Sequence, residues 1–453
     1  MRVIEIVFGF ALIILTLVDG FETILQPRRV THRFRFARFY YRNLWSLWRT
    51  TALHISAGKR REAFLGIFAP LSLLGLFVTW VIGLILGFAL VQQSLGSHLK
   101  IADETVAFST FLYLSGTTFF TLGYGDVTPT APLGRALAVA EAGLGFGFLA
   151  VIISYLPVLQ QAFSRREVTI SLLDARAGSP PSASEVLARI ARSGSLDPLD
   201  PLLAQWEAWA AELLESHLSF PVLSYYRSQH DNQSWLAALT GMLDTCAILI
   251  VDAKSHNSYQ ARLTFAMARH AAVDLSLVLK AAPVCQSSDR LNQVERARLR
   301  DALGQAGLAV RDGAECDVKL IELRGMYEPF LSALADRFLF ALPPFIPTGE
   351  IADNWQRSAW MRPTLTRHPY RQHAHLTPFI ISRLTPIQLL SQEKSTKQAF
   401  KSNAGSSNFL TGPDNHSLTA SPIPWHTLCI VLHRRDVPRD NVAGLSNADR
   451  IWF

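Results

Sequence analysis

The chain has 453 residues, a formal net charge of +7 and a hydrophobic content of 49%, so its length allows two or three domains. Its apolar residues are concentrated in the first third, which predicts an α-helical membrane part followed by a soluble part. Much of the basic density lies between residues 28 and 61, beside an apolar segment, which favours a membrane surface and disfavours nucleic acid as the partner. The four cysteines show no CxxC or metal-binding spacing, so we expect ordinary reduced thiols.

The first apolar segment, Val3–Leu25, has about the length needed to cross a bilayer. A secretory signal is the competing interpretation. Only Arg2 precedes the segment, however, Glu5 interrupts it, and no A-x-A cleavage site follows. We therefore predict a retained transmembrane helix over residues 1–27.

Two acidic residues, Asp19 and Glu22, lie three positions apart on one face of this helix, near its basic end. We expect them to pair with Arg28, Arg29 or lipid-facing cations, because an unpaired carboxylate at membrane depth is energetically expensive. A role in gating or in proton sensing is the alternative that the residues leave open.

Residues 28–62 interleave arginine and lysine with phenylalanine, tyrosine and tryptophan. This composition suits an amphipathic helix in the cytoplasmic membrane interface. A voltage sensor would need arginine at every third position inside an apolar span, and the spacing here is irregular. By the positive-inside rule the segment is cytoplasmic, which puts the N-terminus outside and the C-terminal part of the chain in the cytoplasm.

Two long apolar segments frame a short one. Residues 64–92 and 133–162 are each long enough to cross the bilayer. Residues 106–120 are too short, and they predict a re-entrant helix, which is tolerated at membrane depth only beside protein and a water-filled pore. The partial negative charge at the C-terminal end of such a helix favours a nearby cation.

The segment Thr118–Asp126, with the sequence T-F-F-T-L-G-Y-G-D, follows this short helix. Successive carbonyl groups of an extended run turn toward one axis when left-handed and right-handed φ values alternate, which Gly123 and Gly125 tolerate. Stacked rings of carbonyls, with the Thr121 hydroxyl at the inner end, replace the hydration shell of a bare cation. One copy supplies a quarter of each ring, so this interpretation requires four copies around an axis.

These residues resemble the selectivity filter of potassium channels, whose family pattern is T-x-x-T-x-G-Y-G-D. Every fixed position matches, and Leu122 takes a place that is more often valine or isoleucine. The resemblance implies a two-helix pore unit over residues 63–163, with K⁺ as the permeant ion and no cofactor. It implies a filter over residues 121–126, whose ion-binding residues are Thr121, Leu122, Gly123, Tyr124 and Gly125.

The resemblance also implies residues that support the filter. Asp126 anchors its outer mouth, and Thr118 opens the motif. Many members of the family carry an aromatic pair in the pore helix that hydrogen-bonds the filter Asp and Tyr, and here that pair is Tyr113-Leu114. Tyr113 can hold Asp126, whereas Leu114 cannot donate to Tyr124, so we expect a looser support and altered inactivation.

Three positions in the inner helix carry further predictions. Gly145 aligns with the glycine that the family uses as a gating hinge, and close helix packing through small residues is the alternative. Pro157 removes a helix hydrogen bond near the inner mouth and is a second hinge candidate. Glu141 is a carboxyl at membrane depth, so we expect a hydrogen bond to the back of the pore helix, or else a role in conduction or pH gating.

The remaining chain is predicted to form a mostly helical cytoplasmic domain over residues 164–345 and a largely disordered tail over residues 346–453. Helix-like periodicity occurs in Leu202–Leu218, Ser234–Val251, Tyr259–Leu279 and Val318–Leu342. We expect the apolar second of these to be a buried helix rather than another span. No G-x-G-x-x-G stretch follows the inner helix, so the domain is an assembly domain or a sensor of an unknown cytoplasmic ligand.

Together these patterns predict a homotetrameric, potassium-selective channel in the cell inner membrane, in contact with the lipid bilayer and without enzymatic activity. A weakly selective cation channel is one alternative. Another is a non-conducting membrane sensor that acts through its cytoplasmic helical domain. A potassium-uptake transporter subunit is disfavoured, because such a chain carries four filter repeats and this one has a single copy.

Overall fold

The computed structural model describes residues 2–25, 35–96, 98–101, 106–230, 232–251, 259–284, 289–308 and 310–347. The helices in these ranges are α1 Arg2–Ile24, α2 Phe36–Leu53, α3 Lys59–Ser94, α4 Phe108–Phe119, α5 Pro132–Ala177, α6 Ala183–Arg192, α7 Leu199–Ser219, α8 Trp235–Val251, α9 Tyr259–Val278, α10 Gln293–Gln305, α11 Ala314–Gly325 and α12 Glu328–Phe338. A short 3₁₀ helix covers Pro221–Tyr225. The strands β1 (Leu99–Lys100) and β2 (Thr128–Pro129) pair antiparallel, with Leu99 opposite Pro129.

The predicted α-helical membrane architecture is confirmed. Helices α1, α3 and α5 are long and apolar enough to cross a membrane, and α4 is the short helix between α3 and α5. Helix α1 packs closely on α3 because Gly87 offers no side chain: a Cβ atom there would lie 2.6 Å from Cγ1 of Ile13. Gly83, one turn earlier, meets Thr16 in the same way, so a small-x-x-x-small pair forms this helix contact.

The inner helix is longer than predicted. Helix α5 ends at Ala177 rather than at residue 162, and it runs without a break through Gly145 and Pro157. Beyond residue 162 the helix has a polar side and an apolar side, and Phe163, Ile170 and Leu173 on its apolar side are buried. Those buried residues pack within the core of the C-terminal helices, which favours continuation of the helix beyond the membrane part.

The C-terminal domain that follows the membrane helices is helical, as predicted, and α8 lies at its centre. Every residue of α8 except Ile250 is buried, which agrees with the predicted buried helix. The single helix predicted over Val318–Leu342 is wrong, because α11 and α12 are separate. Pro329 lies in the first turn of α12, and its ring and missing N–H are compatible with a helix start but not with a helix interior. Helices α6 and α10 were not predicted.

Helix α2 is present within the predicted basic-aromatic segment, but much of its aromatic face packs on protein. Trp45 is buried, and its Nε1 donates to the carbonyl oxygen of Arg337 in α12 at 2.9 Å. The ring of Trp48 stacks on Phe64 of α3 with 4.5 Å between centroids. Helix α2 therefore bridges the start of α3 and the C-terminal helical domain, because a buried tryptophan needs both apolar contact and an acceptor for its N–H.

The two acidic residues of α1 have partners around the start of α2, which the sequence pattern did not name. Both carboxylate oxygens of Asp19 lie 3.1 Å from the backbone N of Ala37, and Oδ2 also accepts from Trp80 Nε1 at 2.8 Å. Asp19 thus binds the positive N-terminal end of α2. Glu22 pairs with Arg35 at 3.5 Å. Residues 28 and 29 lie outside the described residues, as does the tail from residue 348 onward.

Candidate functional site

The segment after the short helix adopts the alternating backbone that the sequence predicts. The φ angles of Thr121, Gly123 and Gly125 are 56°, 58° and 81°. A Cβ atom on either glycine would meet nothing within 4 Å in the single chain, so conformation rather than space requires glycine there. Thr121 shares this left-handed conformation, which costs a residue with a Cβ atom about 1–2 kcal/mol. The sequence pattern did not indicate that strain.

The backbone of α4 holds the start of this segment. Thr117 O accepts from Leu122 N at 2.8 Å, and Thr118 O accepts from Thr121 N at 3.0 Å. The segment from Thr121 to Asp126 is exposed in the single chain, with Leu122 54% and Tyr124 68% exposed. Large apolar side chains at that exposure indicate a surface that other molecules cover.

The outer end of the segment is held by a side-chain bond from the short helix. Tyr113 donates its hydroxyl to Oδ2 of Asp126 at 2.9 Å, and Oδ1 accepts from the backbone N of Val127 at 3.0 Å. The predicted Tyr113–Asp126 bond is therefore present. Leu114, the second member of the pair, is buried and offers no donor to Tyr124.

Hydrogen bonds to backbone carbonyl oxygens connect the chain segments around this end. His98 O accepts from both the backbone N and the hydroxyl of Thr130 at 2.8 Å. Arg135 Nε donates to Pro129 O at 3.1 Å, and Gln92 Nε2 donates to Gly134 O at 3.0 Å. The β1–β2 pairing and these bonds connect the end of α3 to the start of α5.

The back of the segment rests on two contacts between α4 and α5. Ser115 of α4 is hydrogen-bonded to Glu141 of α5, and Glu141 is fully buried, so the predicted bond to the back of the pore helix is present. One turn further along both helices, a Cβ atom on Gly145 would lie 2.3 Å from Phe119 O. Close packing, the alternative to a hinge at Gly145, is thus observed in this conformation.

Below the membrane helices, residues 221–228 form a connection that we call the junction segment. Arg166, buried in α5, donates to Leu223 O at 3.0 Å and to Tyr226 O at 3.2 Å. The junction segment also contacts Glu167, because Ser228 donates a hydrogen bond to its carboxylate. Charged donors to carbonyl groups in a buried site make strong hydrogen bonds. Helix α5 is therefore held by the C-terminal helical domain.

The same segment also holds the base of α3. Arg227 pairs with Glu62 at 3.5 Å and lies over the ring of Phe340 at 4.0 Å. Tyr225 packs against Phe68 of α3 and Trp45 of α2, each at 5.0 Å between centroids. The junction segment thus contacts the start of α3 and the end of α5 that lie beside the C-terminal helical domain, and sequence reasoning missed it because these partners are far apart in the chain.

Comparison with known proteins agrees with the position of the site. A family model described as "Ion channel" matches residues 75–159, which include the short helix and the segment after it. Protein LctB of Geobacillus stearothermophilus is 38% identical over 91 residues, covering 18% of this chain and 67% of LctB. Protein LctB of Bacillus caldotenax is 36% identical over the same coverage.

A third relative extends the match beyond the length of that region. The uncharacterized membrane protein YdjJ of Bacillus subtilis is 27% identical over 177 residues, 38% of this chain. The match spans about half of YdjJ, 51% of its length. No solved structure matches the chain.

Proposed function

Because the chain belongs to the ion-channel family that has a two-helix pore unit, we propose that it is a potassium-selective channel that conducts K⁺ passively through a pore made by four copies. The observation that carries the proposal is the alternating left-handed backbone at Thr121, Gly123 and Gly125 within T-L-G-Y-G-D. A backbone of alternating hand turns successive carbonyls to one side, where they replace the water around a bare cation.

In the proposed channel each residue of the filter has its own role. Thr121 supplies a hydroxyl and a carbonyl at the inner end, and Leu122, Gly123 and Tyr124 supply carbonyls. Gly125 ends the filter, and Asp126, held by Tyr113 at 2.9 Å, braces the outer mouth. K⁺ is the permeant ion, and the protein carries out no reaction.

Four copies are proposed because a single chain leaves the filter open. Leu122 and Tyr124 are more than half exposed, and one chain provides one quarter of each carbonyl ring. The apolar exposed faces of α1 and α3 suit lipid. The basic start of α3 exposes Lys59 and Arg60, which supports a cytoplasmic location of that end, in the cell inner membrane with the N-terminus outside.

One observation favours a second candidate, a weakly selective cation channel. Leu114 is buried at 4% exposure at the position where family members place a donor for the filter tyrosine. Without that donor, Tyr124 is held less firmly, and a filter that relaxes discriminates K⁺ from Na⁺ less well.

The experiment is ion flux into liposomes that contain the purified full-length protein, with K⁺, Rb⁺ and Na⁺ compared. Gly123→Asp is the control, because it puts a charged side chain at a left-handed position of the filter. The expected result is K⁺ and Rb⁺ flux well above Na⁺ flux, and loss of both in the control. Equal Na⁺ flux would support the weakly selective channel. Absence of flux would support a membrane sensor that acts through its cytoplasmic helical domain.

A further inference from the structure

A polar contact inside the membrane part lies directly behind the filter. Ser115 and Phe119 are four residues apart on α4, and Glu141 and Gly145 are four residues apart on α5. Residues at this spacing lie on one helix face. The Ser115–Glu141 bond and the Phe119–Gly145 contact are therefore two contacts of one helix interface, one turn apart.

The hydrogens at Ser115 determine the state of the carboxyl. Its Oγ lies 2.8 Å from Ile85 O in α3 and is also hydrogen-bonded to Oε1 of Glu141. A serine hydroxyl has one hydrogen and a carbonyl oxygen has none. Both hydrogen bonds therefore form at full strength together only when Ser115 donates to Ile85 and the carboxyl of Glu141 donates to Ser115.

The surroundings of Glu141 agree with a neutral carboxyl. Its side chain is fully buried, and Oε2 has no hydrogen-bond partner among the described residues. No salt bridge to Glu141 occurs within the described part of the chain. A buried carboxylate without a cation is strongly disfavoured at membrane depth, and protonation removes the charge.

The contact bears on the filter through the short helix. Ser115 lies two residues before Thr117, whose carbonyl accepts from Leu122 N at 2.8 Å and from Gly123 N at 3.4 Å. Any shift of α4 moves this acceptor and with it the backbone that is proposed to bind the ion. The polar contact is thus one step away from the filter amides.

We propose that Glu141 is a protonated positioning residue, which donates to Ser115 and so holds the pore helix between α3 and α5 in the place that keeps the filter selective. This inference rests on the proposed function. It assigns to the inner helix part of the support that the Tyr113-Leu114 pair lacks. Glu141 contacts neither the ion path nor the filter itself; it acts through Ser115.

The test compares three variants in the liposome assay. Glu141→Gln is neutral and still donates, so it is expected to keep the Rb⁺/Na⁺ flux ratio of the wild type. Glu141→Val and Ser115→Ala remove the contact and are expected to lower that ratio about tenfold. Val139→Ala, at an exposed position two residues earlier, is the matched control and leaves the ratio unchanged. Size-exclusion chromatography of each variant separates misassembly from altered selectivity.

Two results would overturn the proposal. Loss of selectivity in Glu141→Gln equal to that in Glu141→Val would mean that the carboxylate charge is needed. An unchanged ratio in both Glu141→Val and Ser115→Ala would mean that the contact does not position the filter.

A second readout keeps this test separate from that of the proposed function. The infrared difference spectrum between the wild type and Glu141→Gln is expected to contain a carboxylic-acid carbonyl band at neutral pH. Carboxylate bands in its place would contradict the protonated state. A wild type that conducts no ions would overturn the proposed function and the selectivity role together. The infrared band would still show whether the carboxyl of Glu141 is protonated.

Discussion

Glu141, in the membrane part, and Asp244, in the C-terminal helical domain, are both buried acidic residues of apolar helices, but their surroundings differ. Glu141 is hydrogen-bonded to Ser115 and has no cation partner among the described residues. Asp244, 1% exposed, receives two contacts from Nη2 of Arg290, at 2.8 and 3.0 Å, and one from the hydroxyl of Tyr327 at 2.6 Å. The first carboxyl is neutralised by a proton in our proposal, and the second by an arginine.

The difference follows from what each region can supply. Burial raises the pKa of Asp244 to about 6, while Arg290 and Tyr327 act in the opposite direction. Arg290 is satisfied in turn by Glu328 at 2.9 Å and by Pro343 O at 2.8 Å. An arginine needs several such acceptors, and here two carboxylates and one loop carbonyl provide them. Most carbonyls of a transmembrane helix are engaged within the helix, which leaves few acceptors for a buried arginine, so a proton is the simpler solution.

The largest expected effect is a difference between the two regions: replacing the carboxyl by its amide destabilises the protein at Asp244 and leaves its stability unchanged at Glu141. Asp244→Asn leaves the buried Arg290 without its closest anion, and a broken buried pair costs about 3–5 kcal/mol. We expect the lower end, about 3 kcal/mol, because Glu328 remains beside Arg290. Denaturant unfolding of the detergent-solubilised protein measures this effect. Glu141→Gln is the matched substitution and should leave the midpoint unchanged; equal losses in the two variants would remove the distinction between the regions.

A substitution at Gly145, one helical turn after Glu141, is expected to have the second largest effect. Gly145→Ala puts a Cβ atom 2.3 Å from Phe119 O, a backbone atom that cannot rotate away. Overpacking of this kind costs about 1–3 kcal/mol and should displace the pore helix, so K⁺ flux should fall about tenfold. Gly143→Ala is the control, since a Cβ atom there meets nothing within 4 Å in the single chain. Wild-type flux in Gly145→Ala would argue for a conformation in which α4 and α5 separate at this glycine.

The buried side chain of His217 adds a third case to this comparison, because it avoids a buried charge by staying unprotonated. Burial, reinforced by the charge of Arg166, lowers the pKa of His217 well below its ordinary value of 6.5. Arg166 approaches Nε2 at 3.3 Å, so Nε2 accepts and Nδ1 carries the hydrogen that it donates to Leu213 O at 2.8 Å.

The pH dependence of stability follows from that shift. The unfolded chain protonates His217 near pH 6.5 and the folded chain does not, so the contribution of His217 is complete above pH 6.5. It falls by up to about 1.4 kcal/mol for each pH unit below that value. We expect the wild type to lose stability faster than His217→Gln between pH 7 and pH 5. Parallel stability curves for the two proteins would contradict a neutral buried imidazole.

The smallest effect is expected for an ion pair on the surface. Arg49 of α2 and Asp336 of α12 are 2.9 Å apart, and the side chain of Asp336 is 76% exposed. Solvent screens such pairs, so Asp336→Ala should change the free energy of unfolding by less than about 1 kcal/mol. A larger loss in the same denaturation assay would show that α2 depends on this pair rather than on the buried Trp45.

The sequence by itself determined the parts of this protein whose physics is local. Span length, the short helix and the T-x-x-T-x-G-Y-G-D motif are read from neighbouring residues, since hydrophobic length and glycine conformation act within a few positions. The Tyr113–Asp126 bond was predictable only through the family resemblance, in which an aromatic residue of the pore helix hydrogen-bonds the filter Asp.

Only the tertiary structure decided which distant residues meet. The extension of α5 to Ala177, the division of α11 from α12, the partners of Asp19 and the junction segment depend on helices far apart in the chain. The arginine that serves Asp244 lies 46 positions away, and hydrophobic periodicity indicates that a face is buried without indicating what covers it. That choice belongs to packing and to the need of every buried polar group for a partner.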